Sequence, residues 1–184
     1  MRKPCKPPSW GVLATERQLQ GGIMKNFLIY ALIGLGVIAY NVATQADRDG
    51  EGAIVSEGSV DAFTIQLGDC FDNTSSLASE ETGEVSNLPG VPCSEPHDNE
   101  VFAIFDLDQP TFPGSEEISE LSFSACLDRF ETFVGVEYES SSLDIAALYP
   151  SKESWSRQGD REVVCAVYDM NYGKLTGSTR NSGI

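Results

Sequence analysis

The sequence predicts an α+β fold: a small disulfide-stapled domain with a short antiparallel sheet and one main packed helix, preceded by a single transmembrane helix. Three observations carry this. Residues 100–107 and 161–170 are apolar runs of strand length, and residues 115–135 repeat apolar side chains at helical spacing. A polar, cysteine-bearing region follows one uninterrupted apolar segment. At 184 residues the chain accommodates one ordinary domain and a leader.

Residues 1–26 hold Arg2, Lys3, Lys6, Arg17 and Lys25 against Glu16 alone, and read as a short basic cytoplasmic segment. Residues 27–43, FLIYALIGLGVIAYNVA, have Asn41 as their only strongly polar member. Seventeen residues rising about 1.5 Å each lie at the short end for a membrane-spanning helix. The basic flank places the N-terminus inside and the C-terminal part outside the membrane. The expected localisation is therefore a single-pass cell-membrane protein with its C-terminal domain extracytoplasmic. Two processing routes remain open, a retained anchor or cleavage near Thr44-Gln45-Ala46, and Met24 is a competing start. No cysteine ends the apolar run as lipid attachment would require.

Residues 44–59 are polar and Gly-rich, and read as a flexible linker. The domain is expected over 60–170. Alternation over 62–67 predicts a short strand, closed by Gly68-Asp69. Residues 73–92 read as an exposed loop, 100–107 as the clearest buried strand, and 110–114 as a connector. Ser115 is expected to cap the helix, with Glu116 and Glu117 favourable in its first turn. Ile118, Leu121, Ser122, Ala125, Cys126, Phe130, Phe133 and Val134 recur at helical spacing, and Gly135 ends the helix. Residues 143–149 form a short element before Pro150, and 161–170 a strand covered on both faces. Residues 171–184 are turn-rich and read as a flexible tail.

Charge is divided sharply. From Asp47 onward lie 27 of the 28 acidic residues but only seven of the 12 Lys and Arg, which leaves this part at −20. Such a surface repels phosphates, so no nucleic acid is expected as partner, and it favours a protein with a basic surface.

Cys70, Cys93, Cys126 and Cys165 lie beyond the apolar segment, in a compartment that permits oxidation. Four cysteines allow three pairings. The favoured one joins Cys70 to Cys93 across the polar loop and Cys126 to Cys165 between helix and strand, each worth about 3–4 kcal/mol by chain entropy. The spacings lack a C-x-x-C pair, which argues against a metal site or a redox enzyme.

Two clusters are candidate interaction sites. His97, the only histidine, stands beside Asp98 and Glu100; a carboxylate neighbour suits it to act as base or ligand, while the plainer role is a turn residue bonding to backbone. Trp155 stands near Asp160 and Arg161, as a lid on the core or as an exposed aromatic platform. The acidic stretches match no calcium-binding loop. No catalytic residue, metal ligand or cofactor is assigned.

The blocks Gly68-Asp69-Cys70-Phe71, Val91-Pro92-Cys93-Ser94-Glu95-Pro96-His97-Asp98-Asn99-Glu100-Val101-Phe102, Phe112-Pro113-Gly114, Cys126 with Phe130, Tyr138, Leu148-Tyr149-Pro150-Ser151, Ser154-Trp155, Gly159-Asp160-Arg161 and Val164-Cys165 occur in order. The series resembles the septum formation domain family of actinobacterial membrane-anchored envelope proteins, over about residues 65–168. The resemblance implies an extracytoplasmic role in cell division or envelope maintenance. The expected function is a non-catalytic interaction domain of the cell envelope, with an envelope or division protein as partner. The alternatives are a small envelope hydrolase or wall-glycan binder using the His97 region, and a purely structural spacer.

Overall fold

Among the described residues, the six strands all join one antiparallel sheet. The computed structural model describes residues 44–74 and 85–184, together with Tyr30. Apart from Tyr30, the expected transmembrane segment 27–43 lies outside them, as does the basic segment 1–26. No described helix is long and apolar enough to cross a membrane. Residues Thr44–Ile184 form one unit.

The strands are β1 (Gly58–Asp61), β2 (Cys70–Phe71), β3 (Asn87–Val91), β4 (Asn99–Asp106), β5 (Leu143–Leu148) and β6 (Glu162–Asp169), in the spatial order β1-β3-β2-β4-β6-β5. Helix α1 spans Ser115–Val134 and α2 spans Lys152–Gln158. Both sheet faces are covered. On one, Cys126, Phe130, Phe133 and Val134 of α1 pack over Ala103, Val163, Cys165, Val167, Leu143 and Ile145. On the other, Ile54, Val60, Ile65, Phe71 and Leu88 gather with Val101, Val164 and Ala166. This is why β6 reads as continuously apolar: successive side chains enter opposite cores. A bulge between Val101 and Ala103 turns both Phe102 and Ala103 toward α1. Burying Phe130 completely contributes about 1.5–3 kcal/mol. The disulfides are Cys70–Cys93 and Cys126–Cys165, and the second ties α1 to β6 through the core.

Several expectations are corrected. Residues 62–67 are not a strand. Asp61 accepts the Phe63 N–H at 2.8 Å and curls Ala62–Thr64 into a 3-10 turn, and the pairing strand precedes it as β1. The expected loop 73–92 contains β3, whose Leu88 is buried. Helix α1 takes Gly114, not Ser115, as its N-cap residue, and Gly114 provides no side-chain cap. Gly135 does end it in the left-handed region, at φ 90°.

The expected linker 44–59 is folded onto the domain. Arg48 forms a bidentate pair with Asp69, 2.6 Å on each arm, and bonds the Gly52 carbonyl at 2.7 Å. Ile54 is buried, and Ala46 donates to Ser59 O along the outer edge of β1. Arg48→Ala leaves the buried Asp69 carboxylate without its cation. The variant is expected to lose about 1–3 kcal/mol in urea denaturation. It should also speed amide exchange at Ala53 and Val55.

The expected flexible tail is a strap. Leu175 exchanges backbone hydrogen bonds with His97, at 3.0 and 2.8 Å. Gly177 N–H donates to Cys93 O, and Asn181 and Gly183 donate to Phe133 O and Val134 O at the end of α1. Within the strap, Leu175 and Thr179 are buried.

Candidate functional site

The β2–β4 region and the strap enclose the first cluster. His97 has no exposed surface. Its Nδ1 lies 2.8 Å from Glu95 O, so Nδ1–H donates to that carbonyl, and Nε2 has no partner among the described residues. Glu100 is equally sealed, and accepts from Ser178 Oγ (2.5 Å), Thr179 N–H (2.6 Å) and Thr179 Oγ1 (2.6 Å). Neither side chain reaches a surface; Glu100 seats the strap through its carboxylate, and His97 pairs with it through its backbone. Asp98 stays partly exposed, taking the Asn73 N–H and the Lys174 ammonium. Burial pushes its carboxyl up, but those two partners outweigh it and hold its pKa below the ordinary value.

The second cluster is built around α2. Ser151 caps the helix by accepting the Ser154 N–H at 3.1 Å, and Gly159 ends it at φ 72°. Trp155 is only 5 % exposed, which removes it as an open platform. The Arg161 guanidinium lies 3.6 Å above its ring, and Phe112 meets it edge-on. Arg161 also donates to the Trp155 and Asp160 carbonyls. Asp160 accepts from Ser154 Oγ at 2.8 Å and from Glu162 N–H at 3.1 Å.

Beside this cluster lies a shallow hollow of about 300 Å³, lined by Phe63, Asp106, Gln158, Asp160, Arg161 and Glu162, with Gly159. Asp106 and Glu162 face each other directly across β4 and β6. Like charges at such positions repel. Burial, then Asp106 and Asp160, push the Glu162 carboxyl above its ordinary value. Sequence reading missed Phe63 and Glu162 here, because a cross-strand register leaves no local trace. A wider trough of about 840 Å³ runs along the first turns of α1, beside Glu116, Glu117 and Glu120. Among the described residues no three His, Cys, Asp or Glu side chains converge as a metal cage requires.

A third group joins Tyr138, which the sequence series includes, to two residues that sequence does not connect with it. Asp144 accepts from Tyr138 OH at 2.6 Å, Tyr168 OH at 2.9 Å and Ile145 N–H at 2.7 Å. The Asp144 hydrogen bond, with burial, pushes the Tyr138 phenol up to about 12. Burial, then Asp144, raises Tyr168 as well. Folded pKa values above the unfolded ones mean that this stabilisation is complete below about pH 10. It is lost as pH rises through 12. Tyr138 and Tyr168 are therefore expected to ionise above the ordinary tyrosine range in a phenolate-absorbance titration. A single transition for all six tyrosines near their ordinary pKa would overturn this.

No curated protein and no solved structure matches the chain. The family model described as Septum formation matches residues 67–182, a span that takes in both disulfides, both clusters and nearly all of the strap. The chain belongs to the septum formation family, whose description connects such domains with septum formation.

Proposed function

We propose that this protein is a non-catalytic interaction domain of the cell envelope, connected with septum formation or cell division. In this reading residues 27–43 hold it at the membrane and the domain faces outward. One observation carries the reading: His97, the only histidine, is sealed beneath the strap. A base or ligand acting on an envelope substrate needs an approach, and the two hollows described above lie against other residues. What the domain presents instead is acidic surface, including the opposed Asp106 and Glu162 beside the exposed ring of Phe63. That chemistry suits a division or envelope protein with a basic surface.

The test is in-cell crosslinking of the full chain followed by mass spectrometry of the captured material. Reproducible capture of a division or wall-synthesis protein, weakened by Asp106→Lys with Glu162→Lys, is the expected result. A purified full chain that captures no protein but turns over an envelope substrate would overturn the reading.

A further inference from the structure

The two edges of the sheet are finished differently. The outer edge of β1 is covered by the chain itself, where Gln45 bridges Ser59 and Ala46 donates to Ser59 O at 3.1 Å. The outer edge of β5 has no neighbouring strand among the described residues. Met170 N–H donates to Ser142 O, so antiparallel alternation makes Asp144, Ala146 and Leu148 the residues that bond to β6. The backbone groups of Leu143, Ile145 and Ala147 therefore point outward.

These outward groups are unbalanced. Ser141 Oγ occupies the Leu143 N–H at 3.0 Å, and Asp144 Oδ1 occupies the Ile145 N–H at 2.7 Å. The outward carbonyls of Ile145 and Ala147 accept nothing from the described residues, while Leu143 has no exposed surface. The edge thus offers two acceptors and one donor, Ala147 N–H. Charge acts in the same direction: between Arg129 and Lys152 the chain carries Glu131, Glu137, Glu139 and Asp144 and no basic residue. At the Asp144 end stands an aromatic platform. Tyr172, at φ 58° and 79 % exposed, stacks on Tyr168 with centroids 5.7 Å apart, and Asp144 fixes the Tyr168 hydroxyl.

We infer that β5 is a docking edge for an extended segment of a partner protein that carries Lys or Arg. The segment adds as a strand, supplies donors to the outward carbonyls, and lays a cationic side chain on Tyr172. A second copy of this chain is a poor occupant, because it would bring a second acidic edge against the first. The inference rests on the interaction reading above and names a surface and a partner chemistry for it.

The test is photocrosslinking of the full chain in cells, with p-benzoylphenylalanine placed singly at Glu139, Tyr172, Phe63 or Glu117. The Glu139 probe is repeated with Ala147→Pro, which removes an N–H that no β6 residue uses, and separately with Tyr172→Ala at an exposed side chain. Crosslinks from 139 and 172 to one basic, extended segment of a partner are expected, and each substitution should reduce the yield at 139 at least fivefold. Unchanged yield with both substitutions overturns the inference, and so does a crosslink from 139 or 172 to a second copy. Capture only from 63 or 117 overturns it while leaving the interaction reading intact. Capture from no position overturns both.

Discussion

Glu100→Ala is expected to cost about 3–5 kcal/mol, from the loss of charge-assisted hydrogen bonds and the burial of unmet donors. The carboxylate is buried in β4 and receives the Ser178 hydroxyl, the Thr179 N–H and the Thr179 hydroxyl. Removing it leaves the Thr179 donors buried with no acceptor. The loss is a large share of the roughly 5–15 kcal/mol typical of a domain. The damage should spread along the strap, because Leu175, Gly177, Asn181 and Gly183 are stitched in the same run. Glu100→Gln keeps the shape but sets an amide nitrogen against donors, and is expected to cost about half as much. Urea denaturation measures the loss. Hydrogen exchange at Leu175, Gly177 and Thr179 locates it. A Glu100→Ala protein with unchanged protection there would show that the strap holds by other means.

The strap also marks where reading the sequence stopped. Periodicity detects apolar faces, and α1, β4 and β6 bury theirs, so they are legible from Phe130, Phe133, Val163, Cys165 and Val167 alone. Residues 174–183 contain one apolar side chain, Leu175, and are held by hydrogen bonds to a carboxylate 79 residues away. The same holds at the other end of the domain, where Arg48 depends on Asp69, 21 residues on. β3 was hidden by its Pro and Gly. Pro89 is tolerated because its carbonyl accepts from Asp72, just past the two residues of β2, so the absent N–H costs no ladder bond. Gly90 is needed because a Cβ there would stand 2.6 Å from Val60 Cγ2. The candidate residues divide along the same line. His97, Glu100 and Trp155 stood out by type, and all three are buried. Asp144, Tyr168 and Tyr172 looked ordinary and became a group only through the pairing of β5 with β6.

The Cys126→Ala, Cys165→Ala double variant is expected to lose about 4–5 kcal/mol, more than the Cys70→Ala, Cys93→Ala variant at about 3–4 kcal/mol. Two terms set the order. The closed loops span 39 and 23 residues, which by chain entropy alone makes the former worth more by about 0.5 kcal/mol. The second term is packing. Cys126 and Cys165 are fully buried between α1 and β6, so truncating both opens space in the main core beside Phe130 and Val163. Cys93 is partly exposed, and the strap still holds its carbonyl through Gly177 N–H. Without Cys70–Cys93 the β2–β3 pairing retains a backbone register at both Cys70 and Phe71. Denaturant midpoints of the two double variants, each read with its m-value, decide the matter. Equal losses, or a larger one for Cys70–Cys93, would mean that the polar loop is held by that bridge alone. The helix would then be fastened to the sheet by Phe102, Phe130 and Phe133 rather than by the bridge beside them.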